Sequence, residues 1–257
     1  VDAYYPFWQL FLDSFEVIVF DIRNHGQNPL HHFAAHHINR FVLDFETIYA
    51  EIPKIFGAKP TVAFFHSISA ITGLLQNLEH GQRWDALLVV DPPVIPEPGH
   101  ALYQLAHSFE LKLRDWALNR QQKFSSPNEL AQTLMETKRL DHWQNGSHQL
   151  MAMTTLTQNT NGWNLTCPRT YESQIYDDNS ELNIWAQLTE LTGPARFLGA
   201  DPKLEGAWPP AFVNRAMHIE LGLPYSCITE TTHMMQIERP QAVADELICF
   251  MHDTGIA

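Results

Sequence analysis

Four short runs of apolar residues, each ending where polar or turn residues begin, set the pattern of the chain: Glu16-Val-Ile-Val-Phe-Asp21, Thr61-Val-Ala-Phe-Phe65, Ala86-Leu-Leu-Val-Val-Asp91 and Ala195-Arg-Phe-Leu-Gly199. A fifth, Tyr225-Ser-Cys-Ile-Thr229, is weaker. The first four are nearly continuous rather than alternating, the signature of strands buried on both faces, as a parallel sheet requires. Between them the period changes. Ile38, Phe41, Phe45, Ile48, Ile52 and Ile55 recur at steps of three and four, one apolar helical stripe. Pro53 is expected to end or bend that helix, with Gly57 as its stop. A second helix is expected over Ile71 to Leu78, and a closing one over Ala242 to Met251, just after Pro240. Strands alternating with helices predict βαβ units and a doubly wound, mostly parallel α/β sheet.

From Pro92 to about Trp185 the alternation stops. Pro92, Pro93, Pro96 and Pro98 forbid a direct helical return to the sheet. Helical segments follow over Leu102 to Leu118, Pro127 to Leu140 and Ser147 to Leu156, with no strong strand run among them. The division read from this is a core over residues 1–91, a helical cap insertion over 92–185 lying across the sheet's carboxyl edge, and the rest of the core over 186–257.

At 257 residues the chain can bury one sizeable core and an insertion. Its 45% hydrophobic and 18% charged residues describe a soluble globular protein, and no apolar run reaches the roughly 18 residues of a membrane span. No signal peptide is read at Val1 to Phe15. Acidic residues outnumber basic ones by 29 to 16, a net −13, which disfavours nucleic acid and anionic membranes as partners and leaves an uncharged small-molecule substrate open. Cys167, Cys227 and Cys249 form no CxxC pair and are read as reduced thiols of a cytoplasmic protein, so the sequons at Asn145 and Asn164 are coincidental.

The chemistry concentrates in three places. In Phe64-Phe65-His66-Ser67-Ile68-Ser69-Ala70 a serine stands between a strand and a helix, where a tight turn lifts its hydroxyl above the sheet and the helix N-terminus offers N–H groups to an oxyanion. The usual pattern is G-x-S-x-G; here Phe65 and Ser69 flank Ser67, and Phe65 is the larger departure. A helix-capping serine is the plainer alternative. Thr232-His233, after the last strand, is where a base can reach such a serine. A third member is expected from the same edge: Asp201, before Pro202, is the expected acid, with Asp91 as its rival because Pro92-Pro93 should steer that chain into the insertion.

Together these segments resemble the α/β-hydrolase superfamily, in particular its cap-bearing esterase-like members. Asp21-Ile-Arg-Asn-His25-Gly26 looks like the D-x-R-x-H-G turn after that fold's fourth strand, Phe65 to Ser69 like its nucleophile elbow, Leu198-Gly-Ala-Asp201 like its acid loop and Thr232-His233 like its histidine loop. The resemblance implies a serine hydrolase with the triad Ser67, Asp201 and His233, without metal or cofactor, acting through an acyl-enzyme on a small, fairly apolar ester. A serine at the elbow argues against the epoxide hydrolase and dehalogenase chemistry of the same fold. Carbon–carbon or lactone cleavage by the same triad, or a non-catalytic ligand-binding role, are the alternatives. Members carry further N-terminal strands and a His-Gly-type loop ahead of the position matching Val1, and that loop supplies an oxyanion-hole N–H. Either those strands precede this sequence or the hole is built differently; within it only the Ile68 N–H can be nominated.

Other features have bland readings. His31, His32, His36 and His37 lack a nearby acidic or cysteine ligand and are expected to be solvated or to line a pocket rather than hold a metal. Asp21 and Arg23 are expected to make an ion pair or turn contacts. Tyr103, Phe109, Trp116, Trp143 and Trp163 are expected mostly in core, some lining an apolar pocket.

Overall fold

A computed structural model describes residues 1–160 and 162–256. Four parallel strands make the main sheet: β1 (Val62–His66), β2 (Ala86–Val90), β6 (Ala195–Gly199) and β7 (Tyr225–Cys227), in the spatial order β1-β2-β6-β7. Val62 pairs with Ala86, Leu87 with Ala195 and Phe197 with Tyr225. β2 is buried along its whole length, and its residues alternate between two cores. Leu87 and Val89 join Phe65 and Phe197 beneath α2 (Ile38–Phe56) and α3 (Ile68–His80). Ala86, Leu88 and Val90 join Leu198 on the other face, against α10 (Pro240–Asp253) and the short α1 (Tyr5–Trp8). Helix α8 (Pro209–Leu221) crosses between β6 and β7. The sheet is thus covered on both sides, which is why its strands read as continuous apolar runs.

Pro53 lies inside α2 without ending it; the helix runs to Phe56 and stops at Gly57, whose φ of 81° few other residues adopt readily. One expected strand is absent. Glu16 to Asp21 forms no ladder, and Ile18 and Val19 stay exposed. Its side chains still divide between the two cores, Val17 on one face and Phe20 on the other. The apolar pattern follows burial, whereas a strand also requires backbone partners.

The stretch after Pro92 holds α4 (Tyr103–Asn119), α5 (Pro127–Met135), α6 (Ser147–Thr155) and α7 (Arg169–Ser180). It also holds a small antiparallel sheet that the pattern did not announce: β3 (Lys123–Phe124), β4 (Leu156–Asn159) and β5 (Gly162–Leu165), in the order β3-β5-β4. Only Leu156, Trp163 and Leu165 are apolar in the hairpin, too few to stand out. They pack with Phe124, Leu130 and Ala152 in a core of their own. α4 and α7 are joined by the Asn179 amide, which donates to Glu110 (2.9 Å) and to the Pro93 carbonyl (3.0 Å). Among the described residues no helix is long and apolar enough to cross a membrane.

Candidate active site

Ser67 is the residue at which β1 becomes α3. Its φ of 56° and ψ of −125° are a conformation that costs a non-glycine residue on the order of 1–3 kcal/mol. The surroundings hold it there: the Ser67 N–H donates to the Val90 carbonyl (3.0 Å), and its carbonyl accepts from Ile71 in the first turn of α3. Ile68, the first helical residue, presents an N–H that no turn of its own helix can satisfy. The bulk of Phe65, foreign to the usual elbow, is accommodated further along α3. A Cβ on Gly73 would stand 2.5 Å from Phe65 Cδ2, so the ring lies on bare helix backbone. The small residue missing before the serine reappears six positions after it.

His233 stands in the loop between β7 and α9 (Met235–Glu238). Its Nε2 lies 2.9 Å from Ser67 Oγ, and its Nδ1 lies 2.7 Å from Asp91 Oδ2. The acid against the imidazole is therefore Asp91, not Asp201. The carboxylate of Asp201 is taken up by turn backbone, accepting from the N–H groups of Lys203 (2.8 Å) and Glu230 (2.9 Å). Those two bonds hold it below the usual carboxylate range. Asp91 ends the strand between β1 and β6, so it emerges beside the serine. Its φ of 43° turns the chain away immediately, and the prolines leave without carrying the carboxylate with them. Asp91 is fully buried and its other oxygen accepts from the Ala200 N–H (3.3 Å) and the Asn214 amide (3.4 Å). A buried carboxylate needs such partners.

The histidine loop is tied at several points. Glu238 accepts from the Thr232 N–H (2.6 Å) and from the Thr232 hydroxyl, while burial raises its carboxyl above the ordinary value. His66 Nε2 donates to the His233 carbonyl (2.8 Å), and the two rings lie 4.6 Å apart. Trp208 stacks on the His233 imidazole at 5.3 Å with 17° between planes, and Phe109 of α4 leans on Trp208. Neither His66 nor Trp208 was singled out in the sequence, although His66 is inside the elbow.

Among the described residues no group of three His, Cys, Asp or Glu side chains stands where it could hold a metal ion. In the histidine cluster, His36 is buried and pairs with the Asn24 amide (2.8 Å), while His37 caps α2 and His32 caps a short 3-10 turn through backbone N–H groups. Burial lowers the His36 pKa to about 4. Arg23 pairs with Asp44 of α2 rather than with Asp21. Of the five aromatics, Phe109 reaches the site through Trp208. Trp143 is buried, Trp163 and Tyr103 are half-buried, and Trp116 is exposed beneath the Arg120 guanidinium.

A model described as "Alpha/beta hydrolase family" matches residues 2–246. No curated protein matches the chain. Among solved structures, the chain is similar to an E-2-(acetamidomethylene)succinate hydrolase, with a TM-score of 0.77 at 14% identity over 98% of this chain and 87% of that one. It is similar to the thioesterase domain from the curacin biosynthetic pathway, with a TM-score of 0.71 at 16% identity over 96% of this chain and 86% of that one. It is also similar to MenH from S. aureus, with a TM-score of 0.71 at 13% identity over 98% of this chain and 89% of that one. At such identities the likeness is one of fold.

Proposed function

The chain belongs to the alpha/beta hydrolase family, and from that premise we propose that it is a serine hydrolase cleaving a carboxylic ester of a small, fairly apolar substrate through Ser67, His233 and Asp91. The observation that carries this reading is the unbroken path of hydrogen bonds, 2.7 Å from Asp91 to His233 and 2.9 Å from His233 to Ser67. In the first step His233 Nε2 takes the Ser67 proton as Oγ attacks the carbonyl carbon. Asp91 fixes the tautomer, holding the Nδ1 proton and leaving Nε2 as the base. The tetrahedral oxyanion is met by the Ile68 N–H at the start of α3, where the helix dipole adds to the attraction. The alcohol leaves with the proton from His233, giving an acyl-enzyme. Water, deprotonated by the same imidazole, then releases the acid.

Residues 92–185 serve as a cap in this reading, resting on the site through Phe109 and Trp208, and substrate passes beneath them. A reducing, cytoplasmic setting fits the three unpaired cysteines.

Labelling by a fluorophosphonate probe, with hydrolysis of p-nitrophenyl acetate alongside, tests the proposal. Wild type is expected to be labelled at Ser67. Ser67→Ala is expected to lose labelling and about 10⁶ in turnover. A folded Ser67→Ala variant that keeps wild-type turnover would remove Ser67 from the mechanism.

A further inference from the structure

Two consecutive residues touch His233 from the elbow: Ser67 through its hydroxyl at the ring, and His66 through its ring at the backbone. Because a carbonyl oxygen can only accept, His66 Nε2 carries the proton of the 2.8 Å bond to the His233 carbonyl. Burial, reinforced by the neighbouring His233, pushes the His66 pKa well below the usual histidine range, so the ring stays neutral and cannot compete as a second acid or base. We propose that His66 is a positioning residue for the reaction, which fixes the main chain of the base against the end of β1 so that the imidazole meets Ser67 Oγ in register. This rests on the triad reading above.

The distribution of the loop's other restraints supports it. Thr231 is held through its hydroxyl to the Ile228 carbonyl, Thr232 by Glu238, and Glu230 by Asp201. These lie before the histidine, and directly after it the Met234 carbonyl accepts from Ile237 and Glu238 of α9, so the loop is tied on either side of His233. His66 is the contact made to the main chain of His233 itself, and it comes from the last residue of β1, whose register with Val90 is fixed. The Val90 carbonyl also accepts from Ser67 N–H. Nucleophile and base are therefore referred to one rigid sheet edge, and the donor that does so lies one residue from the nucleophile. Displacing a catalytic group by about 1 Å costs on the order of 10²-fold in rate, so the loss is expected in kcat rather than in KM.

The experiment compares His66→Leu, His66→Asn and His66→Gln with wild type and Ser67→Ala on p-nitrophenyl acetate. A glutamine amide nitrogen can occupy the place of the histidine Nε2; an asparagine amide falls short of it. His66→Leu is expected to lose about 10- to 100-fold in kcat with KM within about twofold. His66→Gln is expected to recover most of that loss, and His66→Asn little of it. If His66→Leu fails to fold, the Gln and Asn variants decide between themselves. Equal kcat for Gln and Asn, or a folded His66→Leu at wild-type kcat while Ser67→Ala is inactive, overturns the positioning role and leaves the triad standing. Activity retained in Ser67→Ala would instead overturn the triad on which it rests.

Discussion

At the scale of single residues, the two aspartates at the sheet edge do different work. Asp91 is buried against His233, while Asp201 is spent on the turn that carries Glu230. Asp91→Asn presents His233 with an amide that can donate to Nδ1, stabilising the tautomer that has its proton on Nε2, where it cannot act as base. It is expected to lose about 10⁴ in turnover on p-nitrophenyl acetate. Asp201→Asn keeps an oxygen acceptor for one of its two backbone donors and is expected to stay within about tenfold of wild type, since the lost bond is a turn contact. The reverse ranking in kcat would place the acid at Asp201.

At the scale of elements, α3 and β1 meet through Phe65 and Gly73. Gly73→Ala adds helix propensity worth about 1 kcal/mol. Its Cβ, however, falls 2.5 Å from a ring locked among Phe45 and Trp84, and relief of that overlap costs about 1–3 kcal/mol. The variant is expected to show a lowered midpoint in urea denaturation. A raised midpoint would mean that Phe65 has room to move. The join between α4 and α7 carries a different signature. Burial pushes the Glu110 carboxyl up to about 8, only partly offset by the Asn179 bond, so the folded protein binds a proton there that the unfolded chain releases near its ordinary value of 4.5. Stability from this group is fully present below pH 4.5 and is lost as pH rises through about 8. Glu110→Gln, which keeps an acceptor for Asn179 without the charge, is expected to melt close to wild type at pH 5. At pH 8.5 it is expected to melt several degrees higher, at about 2–4 °C per kcal/mol. A constant Tm difference between the two pH values would show that Glu110 is not neutral in the fold.

At the scale of the whole molecule, the net charge of −13 gives the protein a field that repels anions. Under the proposed ester hydrolysis, the rate is therefore expected to depend on salt in a way set by substrate charge. Raising ionic strength from about 0.01 to 0.15 M shortens the screening length from about 30 to 8 Å. For the p-nitrophenyl monoester of succinic acid, kcat/KM is expected to rise at least about twofold across that range, and for p-nitrophenyl acetate to stay flat. A fall for the anionic ester would instead reveal a local cationic pocket that outweighs the global field.

What the sequence determined by itself was local or periodic. The continuous apolar runs marked β1, β2 and β6, because a strand buried on both faces needs apolar residues at successive positions. The three-and-four stripe marked α2. Ser67 stood out because a strand, a serine and a helix are adjacent in the chain, and His233 because it follows the last strand. Tertiary structure decided the rest, for reasons of distance along the chain. Which aspartate meets His233 follows from strand order: β2 lies between β1 and β6, so the residue leaving β2 is next to Ser67, and no local pattern around Asp91 or Asp201 encodes that order. Glu16 to Asp21 has the side chains of a strand without the ladder, since backbone pairing depends on a neighbour and not on composition. The bulk of Phe65 made the elbow look impaired until α3 brought Gly73 beneath it. His66 and Trp208 became part of the site only when folding carried His233 to them, across 167 residues in the case of His66.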